Sequence, residues 1–206
     1  MNPEGSGNFP VIVLAGGRSQ RMGADKTLVT LGGEPMLARV VRQLRPIASS
    51  MIIVAAANQQ LPPLPNSTTV LRDRIPEAGP LHGLIVGLEH VRVAMADQSH
   101  VLVTSTDLPF LTAIIAEQLV RHATSQSSAA LVLRHAGILQ PLPGVYRVGL
   151  LDDLEQAFVD GLRSLRTAAH DAEVVDSGEF RDLDPEARFL CNINTPEDLE
   201  LARRLR

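Results

Sequence analysis

The strongest constraint on the fold is the junction Val11-Ile12-Val13-Leu14-Ala15-Gly16-Gly17-Arg18-Ser19-Gln20-Arg21-Met22-Gly23-Ala24-Asp25-Lys26, where an apolar run gives way to a glycine-rich, cationic stretch. Val11 to Leu14 are apolar without interruption and partly β-branched, the pattern of a strand buried on both faces of a parallel sheet. A loop leaving the carboxyl end of such a strand lies where open α/β sheets bind ligands. Gly16 and Gly17 tolerate positive φ and let backbone N–H groups approach an anion, while Arg18, Arg21 and Lys26 add positive charge around it. The stretch reads as a phosphate cradle that would fit a nucleoside triphosphate.

Two familiar phosphate loops do not match. A Walker loop needs Gly-Lys followed by Ser or Thr, whereas here Asp25 precedes Lys26-Thr27 and Gly23 is followed by Ala24. The dinucleotide fingerprint needs spaced glycines leading straight into a helix, but these glycines are adjacent and the next helix is predicted only near Pro35.

Composition narrows the partners. The chain has 206 residues, a formal charge of −4, no Trp and 3% aromatic residues, which argues against a base-stacking or duplex-binding surface and for a small anionic ligand. Residues 9–206 are expected to form one domain behind a disordered lead-in at residues 1–8. No apolar segment approaches the ~20 residues of a membrane span, and Met1 to Asn8 lack a signal peptide's regions, so a cytoplasmic protein is expected. The single cysteine, Cys191, lies in an apolar run and is expected to be a core thiol. The six histidines show no metal-ligand spacing.

Along the chain, Gly32-Gly33-Glu34-Pro35 reads as a turn, followed by an amphipathic helix carrying Leu37, Val40, Val41 and Leu44 and stopped by Pro46. Met51 to Ala57 is a second buried strand, giving β-α-β and hence parallel pairing. A short strand at Thr68 to Leu71 precedes a helix from about Pro80 to Met95, where Gly79 and Gly83 leave backbone bare for a base or phosphate. The strand His100 to Thr104 delivers Asp107 to the same sheet edge, a hard oxygen donor suited to Mg²⁺ beside phosphates. Ser128 to Leu133 and Ile138 to Tyr146 read as a hairpin, which makes the sheet mixed, with Pro141 marking an edge or a bulge. Helices are predicted at Val148 to Val159 and Arg163 to Ala169, and a strand at Glu173 to Asp176. Arg163 and Arg166 read as facing either an acidic acceptor or solvent, with solvent favoured. Phe189 to Asn192 reads as a strand leading to a final helix with Thr195 as N-cap, Pro196 at its first position and Asp198 at its third.

The motifs Leu14-Ala15-Gly16-Gly17, Arg21-Met22-Gly23 and Lys26, then Gly79-Pro80-Leu81-His82-Gly83, Asp107-Leu108-Pro109 and Asn192-Ile193-Asn194-Thr195-Pro196-Glu197-Asp198 occur in one order from residue 11 to 199. In this the chain resembles the MobA-like NTP transferases, the nucleotidyltransferase family of the molybdenum cofactor guanylyltransferases. The resemblance implies a Rossmann-like three-layer α/β/α sandwich with a mostly parallel, mixed central sheet, of the nucleotide-diphospho-sugar transferase type. It implies transfer of GMP from GTP to the phosphate of the molybdenum–molybdopterin cofactor, with release of pyrophosphate. By the same match Arg21, Lys26 and Asp107 are catalytic and Asp107 holds Mg²⁺. Leu14, Ala15, Gly16, Gly17 and Lys26 hold the triphosphate, and Asp73 lies near the ribose or base. Gly79, Pro80, Leu81 and Gly83 lie near the nucleoside, and Asn192 and Asn194 near the acceptor. Transient contact with cofactor-donating or molybdoenzyme-maturation proteins is expected, and none with nucleic acid or membrane.

One position departs from the family. Its guanylyltransferases often carry asparagine at the end of the second strand, near the guanine, where this chain has Ala55. Transfer of another nucleotide, such as CMP, to a pterin or sugar phosphate therefore stands as an alternative. A GTP-binding accessory protein without turnover is a third reading.

Overall fold

The structure, a computed structural model, describes residues 9–16, 25–73, 75, 78–169 and 171–205. The expected lead-in at 1–8 and the cradle residues Gly17, Arg18, Arg21 and Gly23 lie outside the described residues.

The first strand, β1 (Phe9–Leu14), is central: it pairs in parallel with β4 (Ala48–Ala56) on one side and β6 (His100–Ser105) on the other. Before β4, the ribbon β2 (Thr30–Leu31) and β3 (Glu34–Pro35) closes around Gly32 and Gly33 and feeds helix α1 (Met36–Leu44). Beyond β4 lies β5 (Thr68–Asp73), followed by α2 (Gly79–Ala94), which returns the chain across the sheet to β6. The helix α3 (Ala113–Thr124) then leads to the hairpin β7 (Ala130–His135) and β8 (Ile138–Arg147). The helices α4 (Leu151–Val159) and α5 (Leu165–Ala168), the strand β9 (Glu173–Asp176) and the helix α6 (Pro196–Arg204) complete the order. The seven-stranded sheet runs β5-β4-β1-β6-β8-β7-β9, with β8 antiparallel to both neighbours. The expected mostly parallel, mixed sheet is thus what forms.

Alternation along β1 sorts the two apolar layers. Val11 and Val13 face α1 and α3, packing with Leu37, Val41, Ile115 and Leu119. Ile12 and Leu14 face the opposite side with Leu84 and Leu88 of α2 and Leu151 of α4. A strand with both faces covered must be apolar at every position, which is why Val11 to Leu14 read as an unbroken run. The strand order reverses at β1, since α1 carries the chain to one side and α2 to the other, and such a switch point opens a crevice at the carboxyl edge. Among the described residues no helix is long and apolar enough to cross a membrane.

Of the edge or bulge expected at Pro141, the bulge forms: β8 is an interior strand, with Leu131 opposite Val145 but Leu133 opposite Gln140, so the register on the β7 side shifts across residues 141–144 while Gly144 pairs with Val103 of β6. Two other local expectations are corrected. Phe189 to Asn192 form no strand; Arg188–Leu190 is a 3-10 turn, and the Phe189 amide donates to Asp184 Oδ2 at 2.9 Å instead of to a ladder. Cys191 is half-buried, not a core residue, although burial still pushes its thiol up.

Candidate active site

β1, β4, β5 and β6 all end at one edge, and the chemistry gathers where β1 and β6 lie side by side. Thr106, the first residue past β6, donates its amide to the Leu14 carbonyl at 3.2 Å, which fixes the start of the Asp107 turn against the end of β1. The Asp107 carbonyl in turn accepts from the Ile193 amide at 2.9 Å, so the Asn192-Ile193-Asn194 stretch is docked onto the same turn. Lys26, 81 residues from Asp107 and 168 from Asn194, meets both side chains there.

The Lys26 ammonium stands 3.4 Å from Asp107 Oδ2 and also donates to Asn194 Oδ1. Ser105, the last residue of β6, donates its hydroxyl to Asp107 Oδ1, so the carboxylate is held by one oxygen and presents the other to the lysine. Lys26 and Asp107 are 19% and 22% exposed, open enough to meet a ligand yet sheltered enough for charge to act strongly. The Asn194 amide nitrogen of the backbone donates to Asp198 Oδ2, as does that of Thr195, both at 2.9 Å, and Thr195 Oγ1 accepts from the Asp198 amide at 3.1 Å. The capping box that starts α6 thus also anchors the Lys26 partner.

The hydrogen bond from the Asn194 amide, seconded by those from Thr195 and by the Lys26 charge, holds the Asp198 carboxyl below its usual value against a desolvation cost. A depressed carboxylate contributes stability above its unfolded pKa and loses it as pH falls through the folded one. Asp198→Ala is therefore expected to cost about 1 kcal/mol at neutral pH, a fall of about 2–4 °C in melting temperature. Thermal melts should show that gap closing below about pH 4; a gap undiminished at low pH would contradict the capping role.

Other expected site residues sit differently. Leu14 and Ala15 are buried, and Ala15 and Gly16 both donate their amides to the Val54 carbonyl, at 2.8 and 3.3 Å. The Gly16 N–H, past the end of β1, is thus the longer of two donors sharing that carbonyl and is turned toward β4. Gly79 is not bare: it has φ +79°, and a Cβ there would stand 2.7 Å from the Arg163 carbonyl, which also accepts from the Leu81 amide at 3.3 Å. Gly83 packs against Leu14 and Val54, Leu81 is fully buried, and Pro80 is exposed. Gly79 and Gly83 are thus met by this chain's own atoms, while Pro80 is open to solvent. Arg163 is exposed, with its guanidinium 4.1 Å from the Phe158 ring centre, and Arg166 is exposed as well.

Asp73 ends β5, two strands from β1, or about 10 Å across the sheet. Its Oδ1 accepts from the Ile75 amide and lies 2.9 Å from His82 Nδ1, whose ring leans on Phe158. Ala55 is fully buried on the α1 side of the sheet, so the position aligned with the family asparagine does not face the crevice; Ala56 and Asn58 are exposed. Asn192 is exposed beside the turn. Ser105 and Gln59 were not legible as site residues, although Ser105 carries one signal, a hydroxyl two positions before a strand-end carboxylate.

The MobA-like NTP transferase domain matches residues 11–174. A molybdenum cofactor guanylyltransferase from Sinorhizobium fredii is 36% identical over 205 residues, covering 96% of this chain and 91% of that protein. One from Pseudomonas putida is 38% identical over 191 residues, covering 92% and 95%. The crystal structure of molybdopterin-guanine dinucleotide biosynthesis protein A from Archaeoglobus fulgidus superposes with a TM-score of 0.80, at 24% identity, over 96% of this chain and 98% of that one. With the family domain spanning most of its length and the sheet built as the family motifs imply, this chain belongs to the MobA-like NTP transferase family.

Proposed function

We propose that this chain transfers GMP from GTP to the terminal phosphate of the molybdenum–molybdopterin cofactor, releasing pyrophosphate. The observation that carries the reading is the meeting of Lys26, Asp107 and Asn194 at the crevice between β1 and β6. An oxygen of the acceptor phosphate forms a bond to the α-phosphorus, and the bond from that phosphorus to the bridging oxygen breaks, its electron pair leaving with pyrophosphate. The acceptor phosphate is already anionic at neutral pH, so no general base is required and catalysis reduces to positioning and charge. Lys26 stabilises negative charge on the departing pyrophosphate, and Asn194 orients the lysine.

Asp107 fits a hard cation. Its Oδ2 is accessible at the crevice, and among the described residues no group of three or more acidic, His or Cys side chains offers an alternative. Mg²⁺ is commonly held by one or two carboxylates with phosphate oxygens and waters completing the shell. Asp107 would hold it, and the ion would supply charge neutralisation at the phosphates. Since GTP and the pterin are its substrates, the step belongs in the cytoplasm, beside the proteins that supply and receive the cofactor.

Alanine at position 55, where the family's guanylyltransferases often carry asparagine, supports one further reading, transfer of a nucleotide other than GMP. Calorimetric titration with GTP, CTP, ATP and UTP, each with Mg²⁺, decides between them. GTP is expected to bind at least tenfold more tightly than CTP, as one lost bidentate base contact corresponds to about 1–3 kcal/mol. A preference for CTP would overturn the guanylyl assignment, and pyrophosphate release on adding the molybdenum-bearing pterin would separate an enzyme from an accessory protein.

A further inference from the structure

We propose that Gln59, acting with Asp25, is a positioning residue for Lys26, tying both flanks of the glycine-rich stretch to the end of β4 and so fixing where the lysine ammonium stands. The inference deepens the nucleotidyltransfer reading and rests on it.

The Gln59 amide is fully used. Its Oε1 accepts from the Ala56 amide at 3.1 Å, and its Nε2 donates both to the Ala15 carbonyl and to Asp25 Oδ1, each at 2.9 Å. One side chain therefore joins the residue before the glycines to the residue before the lysine. An amide is the group suited to this, since it has two donors for the two acceptors and one acceptor for the donor. Because every polar atom is engaged within the protein, Gln59 acts on the nucleotide through Lys26 and not by contact.

The other side of Lys26 is fixed as well. Thr27 is fully buried, its amide donates to Asp25 Oδ1 at 3.0 Å, and its hydroxyl lies 2.7 Å from the same oxygen and 2.9 Å from the Gln60 carbonyl. Residues 25 and 27 are thus both pinned, which leaves the backbone of Lys26 little freedom and directs its side chain toward Asp107. Arg72 braces the turn from β5, donating to the carbonyls of Gln59 at 2.7 Å and Ala56 at 3.1 Å.

The test uses the full chain carrying Gln59→Met, which keeps length and removes every polar atom. In nucleotide-free protein, hydrogen exchange at the Thr27 amide should speed up about tenfold, the effect of losing one net hydrogen bond from the cluster. Calorimetric Kd for Mg·GTP should rise about tenfold while KM for the pterin acceptor stays within about twofold. Gln60→Met, whose side chain takes no part in the cluster, should do neither. Unchanged exchange at Thr27 would overturn the proposal, and so would nucleotide and acceptor constants rising in step, which would indicate general loosening. If the unmodified protein bound no Mg·GTP, the guanylyl reading would fall, and the exchange result would still decide whether Gln59 ties these flanks together.

Discussion

Asp107→Ala is expected to lower kcat for pyrophosphate release by about 10²- to 10³-fold, the usual cost of deleting a preorganised electrostatic group at a reacting phosphate or carbonyl. The Asp107 carboxylate lies 3.4 Å from the Lys26 ammonium at the crevice, and the Ser105 hydroxyl holds its Oδ1, leaving Oδ2 toward the lysine. Alanine removes that oxygen without disturbing the turn, because the bond to the Ile193 amide comes from the backbone carbonyl. The thermal midpoint should therefore move by no more than a few degrees, and calorimetry should show Mg²⁺ no longer strengthening GTP binding. A variant that kept more than about a tenth of the parent kcat would remove Asp107 from the chemistry.

Lys26→Met is expected to lower kcat/KM for GTP by about 10²- to 10³-fold, with both the binding and the chemical step affected. The ammonium is a compact point charge between Asp107 Oδ2 and Asn194 Oδ1. Arginine at this position should restore less than about a tenth of the loss, since a planar guanidinium of greater size cannot take the place of an ammonium held from two sides. Steady-state rates at saturating and limiting GTP separate the two steps. Full recovery with Lys26→Arg would show that only net charge matters and that the geometry at Asn194 does not.

What the sequence discloses here follows from which forces are local. The run Val11 to Leu14, the periodic Leu37, Val40, Val41 and Leu44, and the Thr195–Asp198 cap are patterns within one element, and each folds as its pattern implies. The position of Asp107, two residues past the end of β6, was legible for the same reason. Contacts across long separations were not. Nothing near residue 59 indicates that its amide will reach Ala15 and Asp25, 44 and 34 residues away. The glycines of the α2 start misled because a missing side chain marks close approach without saying of what: at Gly79 it is Arg163, and at Gly83 it is Leu14. The expected strand at Phe189 does not form because its amide donates to the Asp184 carboxylate and those of Leu190 and Cys191 to the Ala187 and Arg188 carbonyls of a tight turn.

The central place of β1 has a consequence for how the chain is made. Its partners β4 and β6 lie at residues 48–56 and 100–105, so β1 cannot have both edges paired during synthesis until residue 105 has been made. Until then it is an apolar edge of the kind that sticks to other chains. The strand that leads into the glycine-rich stretch is thus also one whose early solitude exposes nascent molecules to aggregation.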